Sequence, residues 1–372
     1  MAIGDFSVRG RLADTGEGIT ADELQLAARN HGMPLEGLRY DVTPPGLHYV
    51  LVHYDIPATY AGDWRLEVDG CVEEPLSFGL TELRAMGRRT VRVTLECAGN
   101  GRATLQPRPI SQPWLTEAVG TAEWTGVLLS DLLRSAGVRE DAVDVVFTGA
   151  DHGVERGVEQ DYQRGLSVEE AIESGAIVAW EMNGAPLPPQ HGYPLRLVVP
   201  GWYGMASVKW LRSIELIDHT FDGYQNAVAY RFRTATDSAE DPGQAVTRIE
   251  PRALLVPPGF PDFMSRHRFV AAGTVPLFGR AWSGWAPIER VEVSTDAGVN
   301  WHEAKLDAVS NEQDDDRFGW RAFAFDWEAT PGEHVLTVRA YDASGREQPI
   351  EAEWNRGGFA NNTAQRISVL VT

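Results

Sequence analysis

A shift in residue patterning near residues 234–243 limits what this chain can fold into. Upstream of Thr234-Ala235-Thr236-Asp237-Ser238-Ala239-Glu240-Asp241-Pro242-Gly243, helix-like and strand-like stretches mix irregularly. Downstream the helical signal nearly vanishes. The run itself is polar and rich in turn residues, so it reads as a linker. At 372 residues the chain is too long for one ordinary domain and suits two.

In the first part, Thr20-Ala21-Asp22-Glu23 is a capping-box pattern that opens a short helix. Residues 49–54 read as a strand, and 64–70 alternate apolar and polar side chains as a half-buried strand does. Helices are expected at 80–86, 128–135 and 168–174. This irregular order predicts an α+β domain over 44–235, after a peripheral lead-in of residues 1–43. In the second part, 274–281, 288–294, 320–327 and 334–340 are strand-like. Asp296-Ala297-Gly298 and Asp342-Ala343-Ser344-Gly345 supply turns. Short strands spaced by turns predict an all-β sandwich of immunoglobulin-like type over 244–372. Asn311-Glu312-Gln313-Asp314-Asp315-Asp316 is most simply a solvated loop, since it lacks the spaced ligands and closing glutamate of a calcium site.

Composition narrows the function. A formal charge of −20, from 53 acidic and 33 basic residues, argues against nucleic acid or an anionic membrane as partner. No apolar run of about 18 residues exists to span a membrane. The N-terminus shows no charged n-region, apolar h-region or twin arginine, so a cytoplasmic protein is expected. Two cysteines cannot build a disulfide framework. No C-x-x-C or C-x-x-C-H is present for zinc, iron–sulfur or c-type haem, so electrons would pass through a separate carrier.

One of those cysteines sits in Leu95-Glu96-Cys97-Ala98-Gly99-Asn100-Gly101-Arg102, after the β-type run Val91-Arg92-Val93-Thr94. A thiolate is a soft donor for redox metals, and the flanking glycines allow tight turns and close backbone approach. By itself the segment fits a soft-metal site, a reactive thiol, or a buried structural cysteine before a turn. Cys71 has no motif around it and reads as a small buried hydrophobe. Further on runs Pro188-Pro189-Gln190-His191-Gly192-Tyr193-Pro194-Leu195-Arg196-Leu197-Val198-Val199-Pro200-Gly201-Trp202-Tyr203-Gly204, then Ala206-Ser207-Val208-Lys209-Trp210. With these two motifs at this separation, the chain resembles the sulfite oxidase family of molybdenum enzymes, from about Pro44 to the C-terminus.

The resemblance implies a molybdenum–molybdopterin cofactor with Cys97 as the protein's thiolate ligand, a pterin without appended nucleotide, and a homodimer held through the second domain. It also implies cofactor contacts from His53, Asp151, His191, Arg196, Ser207, Val208 and Lys209. Cationic side chains recur there because they form short charge-assisted hydrogen bonds with phosphate. Arg102 matches an arginine that helps hold an oxyanion substrate, Tyr230 an active-site tyrosine, and Trp114 a pocket wall.

Two departures bear on the substrate. Sulfite-oxidising relatives carry an arginine where this chain has Leu51 and Val52, and another where it has Ser283-Gly284-Trp285-Ala286-Pro287. Leu51, Trp285 and Ala286 imply a less charged or bulkier substrate. The expected activity is oxygen-atom transfer with a small substrate, oxidation of sulfite or a related sulfur compound being the family default. The alternative on the same cofactor is reduction of a sulfoxide, an N-oxide or nitrate. From other classes stand a non-catalytic interaction protein that uses the sandwich as its binding module, and a metal-free redox thiol at Cys97.

Overall fold

The computed structural model describes residues 2–234, 241–307, 316–351 and 353–372. Most of the linker at 234–243 and of the acidic run at 311–316 thus lies outside the described residues.

Two sheets build the first half. One orders its strands Leu76–Phe78, Leu66–Gly70, Leu211–Ile217, Asp144–Glu155 and Val158–Ser167. Only Leu66–Gly70 and Leu211–Ile217 pair in parallel. The other runs Arg89–Glu96, Val119–Leu128, Ile177–Met182 and Ala185–Pro186, with Arg196–Val198 added to Ile177–Met182. Helix Ala21–Arg29 begins on Thr20, whose hydroxyl accepts from the Glu23 amide while the Glu23 carboxylate accepts from the Thr20 amide. Helix Leu129–Ala136 buries Leu129, Leu132, Leu133 and Ala136, the one-sided spacing of an amphipathic helix. Helices Leu80–Met86 and Val168–Glu173 also fall where the pattern placed them.

The strand expected at 49–54 is absent. Only Val50 makes a ladder contact, to His31. Side chains claim the backbone groups instead: Asn30 accepts from the Val52 amide at 2.8 Å, and the Lys209 ammonium donates to the Leu51 carbonyl at 2.6 Å.

The second half is two facing antiparallel-rich sheets. One contains Arg252–Leu255, Gly273–Trp282, Arg321–Ala329 and Lys305–Leu306. The other contains Phe260–Pro261, Arg268–Val270, Arg366–Val371, Gly332–Asp342, Ile288–Ser294 and His302–Glu303. Leu255, Leu277, Phe323 and Trp327 from the first meet Val291, Leu336, Val338 and Val369 from the second in one core.

A further core joins the halves. It holds Met33 and Leu38 of the lead-in, Val68 and Leu133 of the first half, and Leu254, Trp282, Trp320 and Phe359 of the second. Arg280 donates to the Leu38 carbonyl at 2.9 Å and pairs with Asp41, and buried Arg108 pairs with Glu23. The lead-in is therefore stitched into both halves.

Candidate active site

One cavity lies where the motifs converge. Its lining includes His53, Cys97, Asp151, His191, Arg196, Ser207, Lys209 and Tyr230, and also Leu51 and Tyr162. Eight of the site residues expected from the sequence are thus brought together from six separate stretches of chain.

Cys97 follows strand Arg89–Glu96 and is buried. Its loop is fixed from both sides. The Cys97 amide donates to the Ala118 carbonyl, Asn100 donates to the Thr116 carbonyl and accepts from the Ala118 amide, and the Asn100 amide donates back to the Cys97 carbonyl at 2.9 Å. From the second half, the Ala360 amide donates to the Ala98 carbonyl at 2.8 Å and the Asn361 side chain to the Gly101 carbonyl at 2.7 Å. Gly101 is left-handed (φ 90°), and a Cβ there would stand 2.7 Å from the Asn361 carbonyl oxygen. Beneath the loop, Glu96 is fully buried, pairs with Arg252 at 2.9 Å, and accepts from the Trp282 indole at 2.7 Å and from Asn100 Nδ2 at 3.0 Å. Burial pushes the Cys97 thiol above its ordinary pKa, while Arg102 and the Trp114 indole draw it down. A bound metal reverses that balance by taking the thiolate.

The opposite wall is cationic. Arg196 is buried and donates to the carbonyls of His191 and Ser207, both at 3.1 Å. Its guanidinium also lies 4.6 Å from the centre of the Trp124 ring. Lys209 donates to the Leu51 and Gln190 carbonyls at 2.6 and 3.3 Å. Gly192 (φ 105°) lets the His191 turn close on both: a Cβ there would meet the Cβ atoms of Arg196 and Lys209 at 3.1 Å. Among the described residues neither cation pairs with a carboxylate. Burial lowers Arg196 to about 10 and Lys209 to about 7, and raises Asp151, whose Oδ1 is buried without a hydrogen-bond partner, to about 6. Buried charges without partners are costly. An anionic, hydrogen-bonding ligand fits this wall.

Tyr230 ends the π-helical turn Gln225–Ala229, and its hydroxyl stands 2.9 Å from His53 Nε2. His53 lies 4.7 Å from the Tyr162 ring, and burial lowers it to about 4, so it is neutral near pH 7.

Three site expectations fall outside the lining. Trp114, expected as a pocket wall, lies behind the Cys97 sulfur in the same apolar cluster. Val208 is buried, with its amide turned to the Ala206 carbonyl. Arg102 is buried beside Cys97, but it donates to the Gly357 carbonyl at 2.9 Å and the Gln112 carbonyl at 3.4 Å, and packs 5.3 Å from the Phe359 ring centre.

Comparison with known proteins shows what the two halves of the chain resemble. Residues 53–225 match the oxidoreductase molybdopterin binding domain, and residues 258–372 match the Mo-co oxidoreductase dimerisation domain. Mitochondrial sulfite oxidase of Drosophila melanogaster is 30% identical over 88% of this chain and 59% of its own length. A Brassica napus NADH nitrate reductase is 31% identical over 89% of this chain and 38% of its own length. The chain therefore spans well under half the length of that nitrate reductase. The sulfane dehydrogenase SoxCD structure from Paracoccus pantotrophus superposes with a TM-score of 0.77 at 26% identity, over 96% of this chain and 87% of that one. The chain belongs to the sulfite oxidase family of molybdenum oxidoreductases.

Within this family member the two sequence departures have different fates. Leu51 does line the cavity. The Ser283–Pro287 turn does not: the Gly284 amide donates to the Ile249 carbonyl, and Trp285 bonds Glu250 at 3.1 Å and lies under Arg346. The expectation that Trp285 and Ala286 shape the pocket is therefore corrected. Sequence reasoning also missed His48, Tyr162 and Arg164. His48 is buried against His191, ring centres 5.2 Å apart, with Nε2 unpartnered. Its place beside a segment read as a regular strand hid it. Tyr162 and Arg164 lie on strand Val158–Ser167, where polar side chains turn inward and no motif flags them.

Proposed function

We propose that this chain binds a molybdenum–molybdopterin cofactor in the cavity and catalyses oxygen-atom transfer with a small substrate, oxidation of sulfite or a related sulfur compound being the leading reaction. One observation carries the reading: a buried thiol faces the same cavity as buried Arg196 and part-buried Lys209, neither of which pairs with a carboxylate among the described residues. In this proposal Cys97 supplies the thiolate to the metal. Arg196, Lys209 and Ser207 hold the phosphate, and Val208, whose amide is taken by the Ala206 carbonyl, packs behind them rather than adding the expected backbone contact. His53, His191 and Asp151 contact the pterin. When bound, the cofactor supplies the two-electron oxygen-atom chemistry.

The protein's own part is positioning. Tyr230, hydrogen-bonded to neutral His53, presents a hydroxyl donor to a substrate oxygen. Arg102 places positive charge beside the thiol and behind Tyr230. Trp114 backs the sulfur and excludes water. A separate electron carrier resets the centre, and no haem is assigned to this chain. A homodimer joined through the second, immunoglobulin-like half and a cytoplasmic location complete the proposal. Both described cysteines are unpaired, which accords with a reducing compartment.

Molybdenum and released pterin, measured per chain, together with sulfite-dependent reduction of ferricyanide per bound metal, test this reading. Turnover at micromolar sulfite is expected. Leu51 in the lining favours a second reading, reduction of a sulfoxide, an N-oxide or nitrate. Fully loaded protein that ignores sulfite but oxidises reduced viologen when one of these is added would establish that alternative.

A further inference from the structure

Arg164 is a charge that the fold does not use. It is buried on strand Val158–Ser167, and among the described residues no carboxylate pairs with it. Its Nη1 donates to the Gln225 carbonyl at 2.6 Å, while its buried Nε–H has no hydrogen-bond partner. The guanidinium carbon lies 5.5 Å from the centre of the Tyr230 ring. Two residues earlier on the strand, Tyr162 lines the cavity, so the alternation of strand side chains puts Arg164 on the cavity side. An apolar side chain would fill this space without the desolvation cost of an unpaired guanidinium.

We propose that Arg164 is a positioning residue for a small oxyanion substrate, acting through Tyr230. The proposal rests on the reading of the cavity as an oxygen-atom-transfer site. Charge held against the Tyr230 ring polarises the phenol toward donation, so its O–H binds an anionic oxygen more strongly. On the same tyrosine packs Phe359, 5.1 Å between ring centres, and Arg102 lies 5.3 Å from Phe359. Arg102, Phe359, Tyr230 and Arg164 thus form one contact chain with a cation at each end and the pocket's phenol within it. Neither Leu51 nor the Ser283–Pro287 turn offers a charge to the cavity. Arg164 does not itself line the cavity, but from a different strand it sets a charge against Tyr230, which does, and this directs the site back toward oxyanions rather than neutral oxides.

The test compares wild type, Arg164→Gln and Arg164→Lys, each as molybdenum-quantified holoenzyme with its melting temperature recorded. Two readouts are taken: the sulfite KM and kcat, and the Kd of the inert oxyanion sulfate by calorimetry. Arg164→Gln is expected to raise both KM and Kd about tenfold or more, with kcat changing less. Arg164→Lys, which keeps the charge, is expected to stay within about threefold of wild type. In an Arg164→Gln, Tyr230→Phe double variant the sulfate penalty of Arg164→Gln should disappear, as a merely structural role would not require.

Wild type that neither oxidises sulfite nor binds sulfate would overturn the oxyanion reading of the cavity, and this inference with it. Wild type that binds sulfate, beside a fully loaded Arg164→Gln with unchanged affinity, would overturn the role of Arg164 alone. If Arg164→Gln does not load metal, Arg164→Lys decides: loaded protein that keeps sulfate affinity supports the role, and a tenfold loss overturns it.

Discussion

The cationic wall of the cavity and its thiol wall differ in where their support comes from. Arg196 and Lys209 are held by carbonyls of Leu51, Gln190, His191 and Ser207, all in the first half of the chain. The Cys97 loop leans on the second half: Ala360 and Asn361 bond its backbone, Gly357 holds Arg102, and Arg252 and Trp282 close on Glu96. The cation cradle is thus a local product of one unit, whereas the geometry around the sulfur depends on the docking of two. On the proposed function, binding of an anionic group and control of the reacting centre should therefore be separable.

The largest effect expected from breaking that separation is at the sulfur itself. Cys97→Ser should abolish turnover, beyond the roughly 100-fold loss typical of outer-shell changes. Released pterin should nonetheless remain measurable, because the cation wall is untouched. Equal loss of pterin and activity would show that the two walls are not independent. Next comes Glu96→Ala. It leaves Arg252 buried without its carboxylate, a change worth about 3–5 kcal/mol of stability. Thermal melting should show a fall far larger than that of Arg134→Ala, which breaks the exposed Arg134–Asp131 pair. Comparable falls would mean that the Glu96 cluster does not weld the halves.

The same contrast explains what was legible in the sequence. Helices 80–86, 128–135 and 168–174 and the second-half strands carry one-sided or alternating apolar patterns, and local pattern determined them. The cysteine and Gly-Tyr-Pro motifs located the cavity, since His191, Arg196, Ser207 and Lys209 are close in sequence and in space. The misreading at 49–54 arose because Asn30 and Lys209 take backbone groups that a strand partner would otherwise bond. Tertiary partners are invisible to local pattern. Arg164, Glu96 with Arg252, and Phe359 over Arg102 escaped for the same reason: each is an ordinary residue until a distant segment packs against it.

Leu51→Arg sharpens the comparison from the substrate side. Leu51 lines the cavity, and its carbonyl already receives Lys209. A guanidinium added there supplies a charge-assisted contact of about 1.5–3 kcal/mol, so the sulfite KM should fall roughly 10- to 100-fold. The cofactor content should not change. A higher KM would indicate that the pocket is built for a less charged substrate.

The smallest expected effect is electrostatic and belongs to the cationic wall. Burial raises Asp151 from 3.8 to about 6, so between those values the folded protein keeps a proton that the unfolded chain has released. The stability from this group is full below about pH 4 and is lost as pH rises through 6. Asp151→Asn removes that loss. In metal-free protein it should therefore gain about 2 kcal/mol over wild type at pH 8 relative to pH 4, read from paired melting curves. A constant offset at both pH values would separate Asp151 from the pH dependence. Lys209 runs the other way: burial lowers it from 10.5 to about 7, so its contribution is full above 10.5 and is lost as pH falls through 7. An anion bound to the wall returns Lys209 toward its ordinary value. The alkaline limb should then flatten in loaded protein, whereas Asp151→Asn, which removes a carboxylate that raises Lys209, should extend that limb to lower pH in metal-free protein. The two opposite responses distinguish a wall built to receive an anion from one that is merely dry.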